Sequence, residues 1–104
     1  MKPELKKRWV KALRSEKYKQ GQEYLRSCDN AYCCLGVLCD ISGVRWKEHN
    51  YAFGVGSRGV TGSPTPAINK RLGLPESVVG ELIRLNDDEL WSFRRIATWI
   101  EKNL

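Results

Sequence analysis

Hydrophobic positions recur with a helical period at both ends of the chain and lose that period in the middle. Near the N-terminus Leu5, Trp9, Val10 and Leu13 gather on one side, with Lys7, Lys11 and Arg14 opposite. The pattern predicts an amphipathic helix from about Pro3 to Ser15, since proline suits the first turn, where its missing N–H leaves no hydrogen bond unmade. Trp9 then reads as a core anchor. A polar stretch follows from Glu16 to Asn30, broken at Gly21. From about Ala31 to Ile41 the residues are apolar nearly all round, which predicts a buried central helix, capped by Asp29 or Asn30 and closed by Gly43. Gly36 within it is expected to let another element approach closely.

Residues 44–65 alternate aromatic with polar positions and hold Gly54, Gly56, Gly59 and Gly62, which predicts one or two short strands in a hairpin or an irregular loop. Pro66 opens a short helix to about Leu72, stopped by Gly73. Pro75 opens another to about Asn86, with Val78, Val79, Leu82, Ile83 and Leu85 as its apolar side. Ser92 caps the last helix, whose Phe93, Ile96, Ala97 and Ile100 face the core, with Trp99 at its edge. The expectation is an α+β fold, mainly helical. It forms one small domain over residues 1–104, with a short β-hairpin or irregular glycine-rich loop in the middle.

Composition agrees with a folded domain: 41% of residues are hydrophobic and 29% charged, too apolar for disorder. No apolar run approaches the roughly 20 residues of a membrane-spanning helix. The segment MKPELKKRWVKALRSEK lacks the apolar core of a secretory signal, so the protein is expected to stay in the compartment where it is made. In that setting Cys28, Cys33, Cys34 and Cys39 are not expected to form disulfides. Their C-x4-C-C-x4-C spacing also fits no common zinc pattern, with His49 the single histidine. Core packing accounts better for Cys33 and Cys39, which lie in the apolar run YCCLGVLCDI.

Charge placement adds what hydropathy does not show. Residues 1–26 carry nine basic residues against three acidic ones, and the remainder is neutral at nine against nine, so the net +6 lies wholly in the first segment. Such a face raises the local concentration of phosphates or acidic surfaces, although a solvated helix face that aids solubility has the same composition. The segment Gly54–Gly59 matches G-x-G-x-x-G, but Val60-Thr61-Gly62-Ser63-Pro64 follows it and cannot open the helix a dinucleotide fold requires. What remains is a loop in which Arg58 offers a planar fork of donors among exposed backbone amides. No nucleophile lies beside a base, and Asp87, Asp88 and Glu89 are consecutive and point to different sides, so no catalytic residues are expected.

Trp46 and Tyr51, beside Arg45 and Lys47, form a mixture suited to stacking a base and neutralising its phosphate. Tyr18, Lys19, Gln20 and Arg26 offer the same chemistry from the other polar stretch. A competing reading takes the last two helices as a helix-turn-helix, with Arg94, Arg95 and Lys102 on the reading helix. Acids in its turn and at Glu101 weigh against it.

At Tyr32–Asp40 (YCCLGVLCD) the chain resembles a family of small proteins encoded in tailed phages and prophages. The likeness extends upstream through Trp9-Val10-x-Ala12-Leu13-Arg14-Ser15, Tyr18-Lys19-Gln20-Gly21 and Leu25-Arg26. Downstream it resumes at Leu85-Asn86-Asp87 and Ser92-Phe93-x-x-Ile96-Ala97-x-x-Ile100-Glu101. The resemblance implies a phage origin and a host-cytoplasm setting. By analogy with small phage proteins that blunt host defence, it implies sequestration of a cyclic nucleotide signal. The expectation is a non-enzymatic sponge, without metal or cofactor, for an anionic nucleotide ligand. Lys19, Arg26 and Arg58 neutralise phosphates, Trp46 and Tyr51 or Tyr32 stack bases, and Gln20 with Asn86 reads polar edges. A homo-oligomer is compatible with this reading. The alternatives are a DNA-binding accessory protein and an inhibitor docking its basic helix on an acidic host protein.

Overall fold

In a computed structural model, residues 1–56 and 60–104 are described. Helix α1 (Pro3–Arg14) forms as its periodicity predicts and buries Trp9, Val10 and Leu13. It lies against α5 (Phe93–Asn103) and α2 (Cys34–Ile41), which brings the two ends of the chain together. The Trp9 indole N–H donates to the Cys34 carbonyl at 2.9 Å, so this fully buried ring also satisfies its one polar group.

Helix α2 is the centre, with all its residues from Cys34 to Cys39 buried. It packs on α4 (Glu76–Ile83) and is shorter than the apolar run suggests. Ala31–Tyr32 is instead a strand, and the helix begins at Cys34 with no side-chain cap from Cys33. Neither Asp29 nor Asn30 caps it. Gly36 is required: a Cβ there would lie 1.7 Å from the carbonyl oxygen of Leu25, so the chain just before Arg26 rests directly on the helix backbone.

Among the described residues five short strands make one sheet in the order β1-β3-β2-β5-β4, from β1 (Lys19–Gln20), β2 (Arg26–Ser27), β3 (Ala31–Tyr32), β4 (Trp46–Glu48) and β5 (Ala52–Val55). β1 and β3 are parallel and the other pairs antiparallel. The predicted hairpin is β4–β5, with Trp46 opposite Val55 and Glu48 opposite Phe53. The polar stretch 16–30 supplies β1 and β2, which its sequence did not advertise.

Helix α3 (Pro66–Leu72) is capped by the Thr65 hydroxyl and closed by Gly73 in the left-handed conformation. The predicted helix from Pro75 to Asn86 divides into α4 and a π-helical turn, Arg84–Asp88, which turns Leu85 and Asn86 inward. Ser92 caps α5 through the Arg95 amide, as its sequence indicates. The architecture is α+β. Among the described residues no helix is long and apolar enough to cross a membrane.

Candidate ligand-binding face

The strand register decides which side chains meet. Arg26 on β2 lies opposite both Tyr32 on β3 and Phe53 on β5, so three consecutive strands present these side chains on one face. Trp46 joins from β4, two residues before Glu48, the partner of Phe53. The Arg26 guanidinium carbon sits 3.9 Å from the Phe53 ring centroid, 5.5 Å from Tyr32 and 5.6 Å from Trp46. Its Nε and one terminal nitrogen donate to the Asn30 Oδ1 at 2.9 and 2.7 Å, fixing the plane of the fork. Asn30 adopts a positive φ of 60°, which asparagine tolerates better than most residues. No carboxylate among the described residues pairs with Arg26.

The rings meet edge to face: Tyr18–Tyr32 at 5.0 Å, Tyr32–Trp46 at 6.2 Å and Trp46–Phe53 at 6.4 Å. Asp40, at the end of α2, ties the group to the core by accepting from the Tyr18 hydroxyl (2.7 Å) and the Trp46 indole (3.1 Å). Burial, and then the Asp40 hydrogen bond, pushes the Tyr18 phenol well above its usual range. Burial and the Asp40 charge raise Tyr32 too, while the Arg26 charge acts in the opposite sense. Tyr32 is buried, whereas Arg26, Trp46 and Phe53 are partly exposed, so three of the four clustered residues reach solvent.

The other expected site residues fall elsewhere. Lys19 is exposed and pairs with Asp29 at 2.9 Å. The Ser27 hydroxyl, and then Lys19, hold the Asp29 carboxyl down to about 2. Tyr51 is exposed and leans on Tyr24 at 5.7 Å. Gln20 and Asn86 form an internal staple. The Gln20 amide donates to Asn86 Oδ1 (3.0 Å) and to the Trp91 carbonyl (2.7 Å), and its oxygen accepts from the Phe93 amide (3.1 Å). Asn86, fully buried, donates to the Gly21 carbonyl (2.9 Å) and Asp87 (2.7 Å), and accepts from the Cys34 amide (3.3 Å). It thus serves the first N–H of α2 from far along the chain. Arg58 lies outside the described residues.

Residues that sequence reasoning missed are Phe53, Asp40 and Asn30. Phe53 was signalled by the alternation in 44–65, but only the pairing register puts it under Arg26. On the last helix, Arg94 reaches Glu16 at 3.2 Å and Arg95 lies 3.8 Å over the Trp91 ring. Cys33, Cys34 and Cys39 are buried in the core, and burial pushes the Cys33 and Cys39 thiols up to about 12. These cysteines are packing residues with unreactive thiols.

A family model described as a domain of unknown function, DUF8296, matches residues 1–79. The chain belongs to this family. Every member of the Arg26 face lies inside the stretch that defines the chain as a DUF8296 protein, while Asn86 and α5 lie beyond it. No match was found among curated proteins or among solved structures.

Proposed function

We propose that this DUF8296 protein binds a nucleotide-class anion on the Arg26 face and does not cleave it. One observation carries the reading: the guanidinium of the partly exposed Arg26, held in plane by Asn30 and without a carboxylate partner among the described residues, lies among three aromatic rings. Aromatic faces stack any base, and a planar fork donates to phosphate oxygens. With Nε and one terminal nitrogen engaged by Asn30, the other terminal nitrogen of the fork is left for such donation. The reading is of a binding protein and not an enzyme, because the carboxylate of the cluster, Asp40, is committed to Tyr18 and Trp46.

Joined to the phage resemblance, the proposal extends to an anti-defence role. The chain sequesters a cyclic oligonucleotide immune signal in the host cytoplasm, alone or as a homo-oligomer. Calorimetry with a panel of cyclic di- and trinucleotides, followed by chromatography of the recovered ligand, tests this. The expected result is saturable binding of at least one member, recovered intact. A panel without a binder, or a cleaved ligand, overturns it. Binding confined to duplex DNA and falling steeply with salt would replace it with a nucleic-acid-binding role.

A further inference from the structure

A second cationic site lies away from the Arg26 face and shares no residue with it. The start of α1, the end of α2 and the end of α3 border an open cleft of about 540 Å³. Lys2 and Arg8 line one wall and Lys70 and Arg71 another, and among the described residues no acidic one lines the cleft. Gly73, at φ 74°, makes the walls meet: a Cβ there would stand 2.8 Å from the Met1 Cα. Ser42, the C-terminal cap of α2, also lines the cleft, and its hydroxyl oxygen is buried with no hydrogen-bond partner.

Basic residues at helix C-termini have an internal use, so the balance of charge matters. Arg8 does donate to the Ile41 carbonyl at 2.7 Å. Two helix C-termini, each worth roughly half a negative charge, together offset about one unit. Four cationic side chains line the cleft. The start of α1 adds roughly half a positive charge, so more than three units remain uncompensated, at the modest cost of holding like charges close at a solvent-exposed site. None of Lys2, Lys70 and Arg71 has an ion-pair partner among the described residues. The cleft volume lies within the range of about 300–1,000 Å³ that small-ligand sites occupy.

We propose that this cleft binds a small oligophosphate, with Lys2, Arg8, Lys70 and Arg71 taking its oxygens. A di- or triphosphate carries the charge that the cleft leaves uncompensated. The inference is independent of the Arg26 face, and it stands or falls on different residues.

Inorganic tripolyphosphate is the probe, titrated calorimetrically into the whole chain at low ionic strength. Saturable binding is expected, weakened about tenfold or more in Lys70→Ala/Arg71→Ala, since two charge-assisted hydrogen bonds are removed. In Arg26→Gln the affinity for tripolyphosphate should stay within twofold of the parent value, about the scatter of a distant substitution. Amide shifts on the unmodified protein give a second readout that needs no variant: Ser42, Lys70, Arg71 and Gly73 should move with the same midpoint. Absence of binding, equal affinity in the double variant, or shifts confined to the Arg26 face would each overturn the proposal. A short DNA duplex titrated in parallel separates the two sources of phosphate. Tighter binding of the duplex, lost in the same double variant, assigns the cleft to a nucleic-acid backbone and also overturns it.

Discussion

Replacing Asn86 by alanine separates a structural role from a ligand-reading one. Asn86 is fully buried and makes four hydrogen bonds through both ends of its amide. In Asn86→Ala, the Gln20 amide keeps the Trp91 carbonyl and the Phe93 amide. The Gly21 carbonyl loses its Asn86 donor, and the Cys34 N–H, with no cap from Cys33, loses its acceptor. A buried group left unpaired costs about 1–3 kcal/mol, and the Cys34 N–H is buried while the Gly21 carbonyl is partly so, which puts the pair at up to about 6 kcal/mol. That is a large part of the roughly 5–15 kcal/mol by which domains are stable. With a urea slope of about 1–3 kcal/mol per molar, the midpoint should fall by about 2 M at constant slope. Urea unfolding followed by circular dichroism measures it. A loss under about 1 kcal/mol, below the cost of one orphaned group, would show that the staple does not hold α2 to the π-helical turn.

Other outcomes follow from the same geometry. Gly36→Ala forces a Cβ onto the Leu25 carbonyl at 1.7 Å, so the variant should be recovered unfolded or with thermal unfolding many degrees lower. In the native protein a thiol reagent should label Cys28 alone at neutral pH, and all four cysteines in denaturant, because the other three are buried. Stability should fall as pH rises above about 10, the ordinary tyrosine value. The unfolded chain then releases the Tyr18 proton that the folded chain retains, so folding costs more with each rise in pH. The Tyr18→Phe variant should show a shallower alkaline loss in denaturant midpoints, and an unchanged pH profile would count against the burial and Asp40 assignment. For Asp29, a nuclear magnetic resonance titration should show a larger upward move in Ser27→Ala than in Lys19→Ala, following the order of the two contributions.

Much of the fold was written locally. Pro3, Pro66, Gly73 and Ser92 mark helix ends that the structure keeps, and the period of Trp9, Val10 and Leu13 gives the buried stripe of α1. The start of α2 was not legible, because its first N–H is served by Asn86 from a distant turn. Local capping signals at Asp29 and Asn30 pointed there instead, but Asn30 is occupied with Arg26 and Asp29 with Ser27 and Lys19. The two-residue strands β1 and β2 leave no period to read, since an alternation needs more positions than they have. The candidate site was legible as residue types and not as a constellation. Arg26, Tyr32 and Trp46 were drawn together by strand register, which also brought in Phe53. Gln20 and Asn86 carry the same amide chemistry as a ligand-reading pair, and only their buried partners show them joined to each other.

The central claim is that the guanidinium of Arg26, with the rings beside it, is the seat of a nucleotide-class anion. Its most direct test is calorimetry of the parent and of Arg26→Lys with the tightest-binding cyclic nucleotide. Lysine keeps the charge but loses the planar fork and its stacking on Phe53. The account predicts binding weakened by about tenfold or more, matching the loss of one charge-assisted contact, in a protein whose circular dichroism is unchanged. Equal affinity in the two proteins would contradict it.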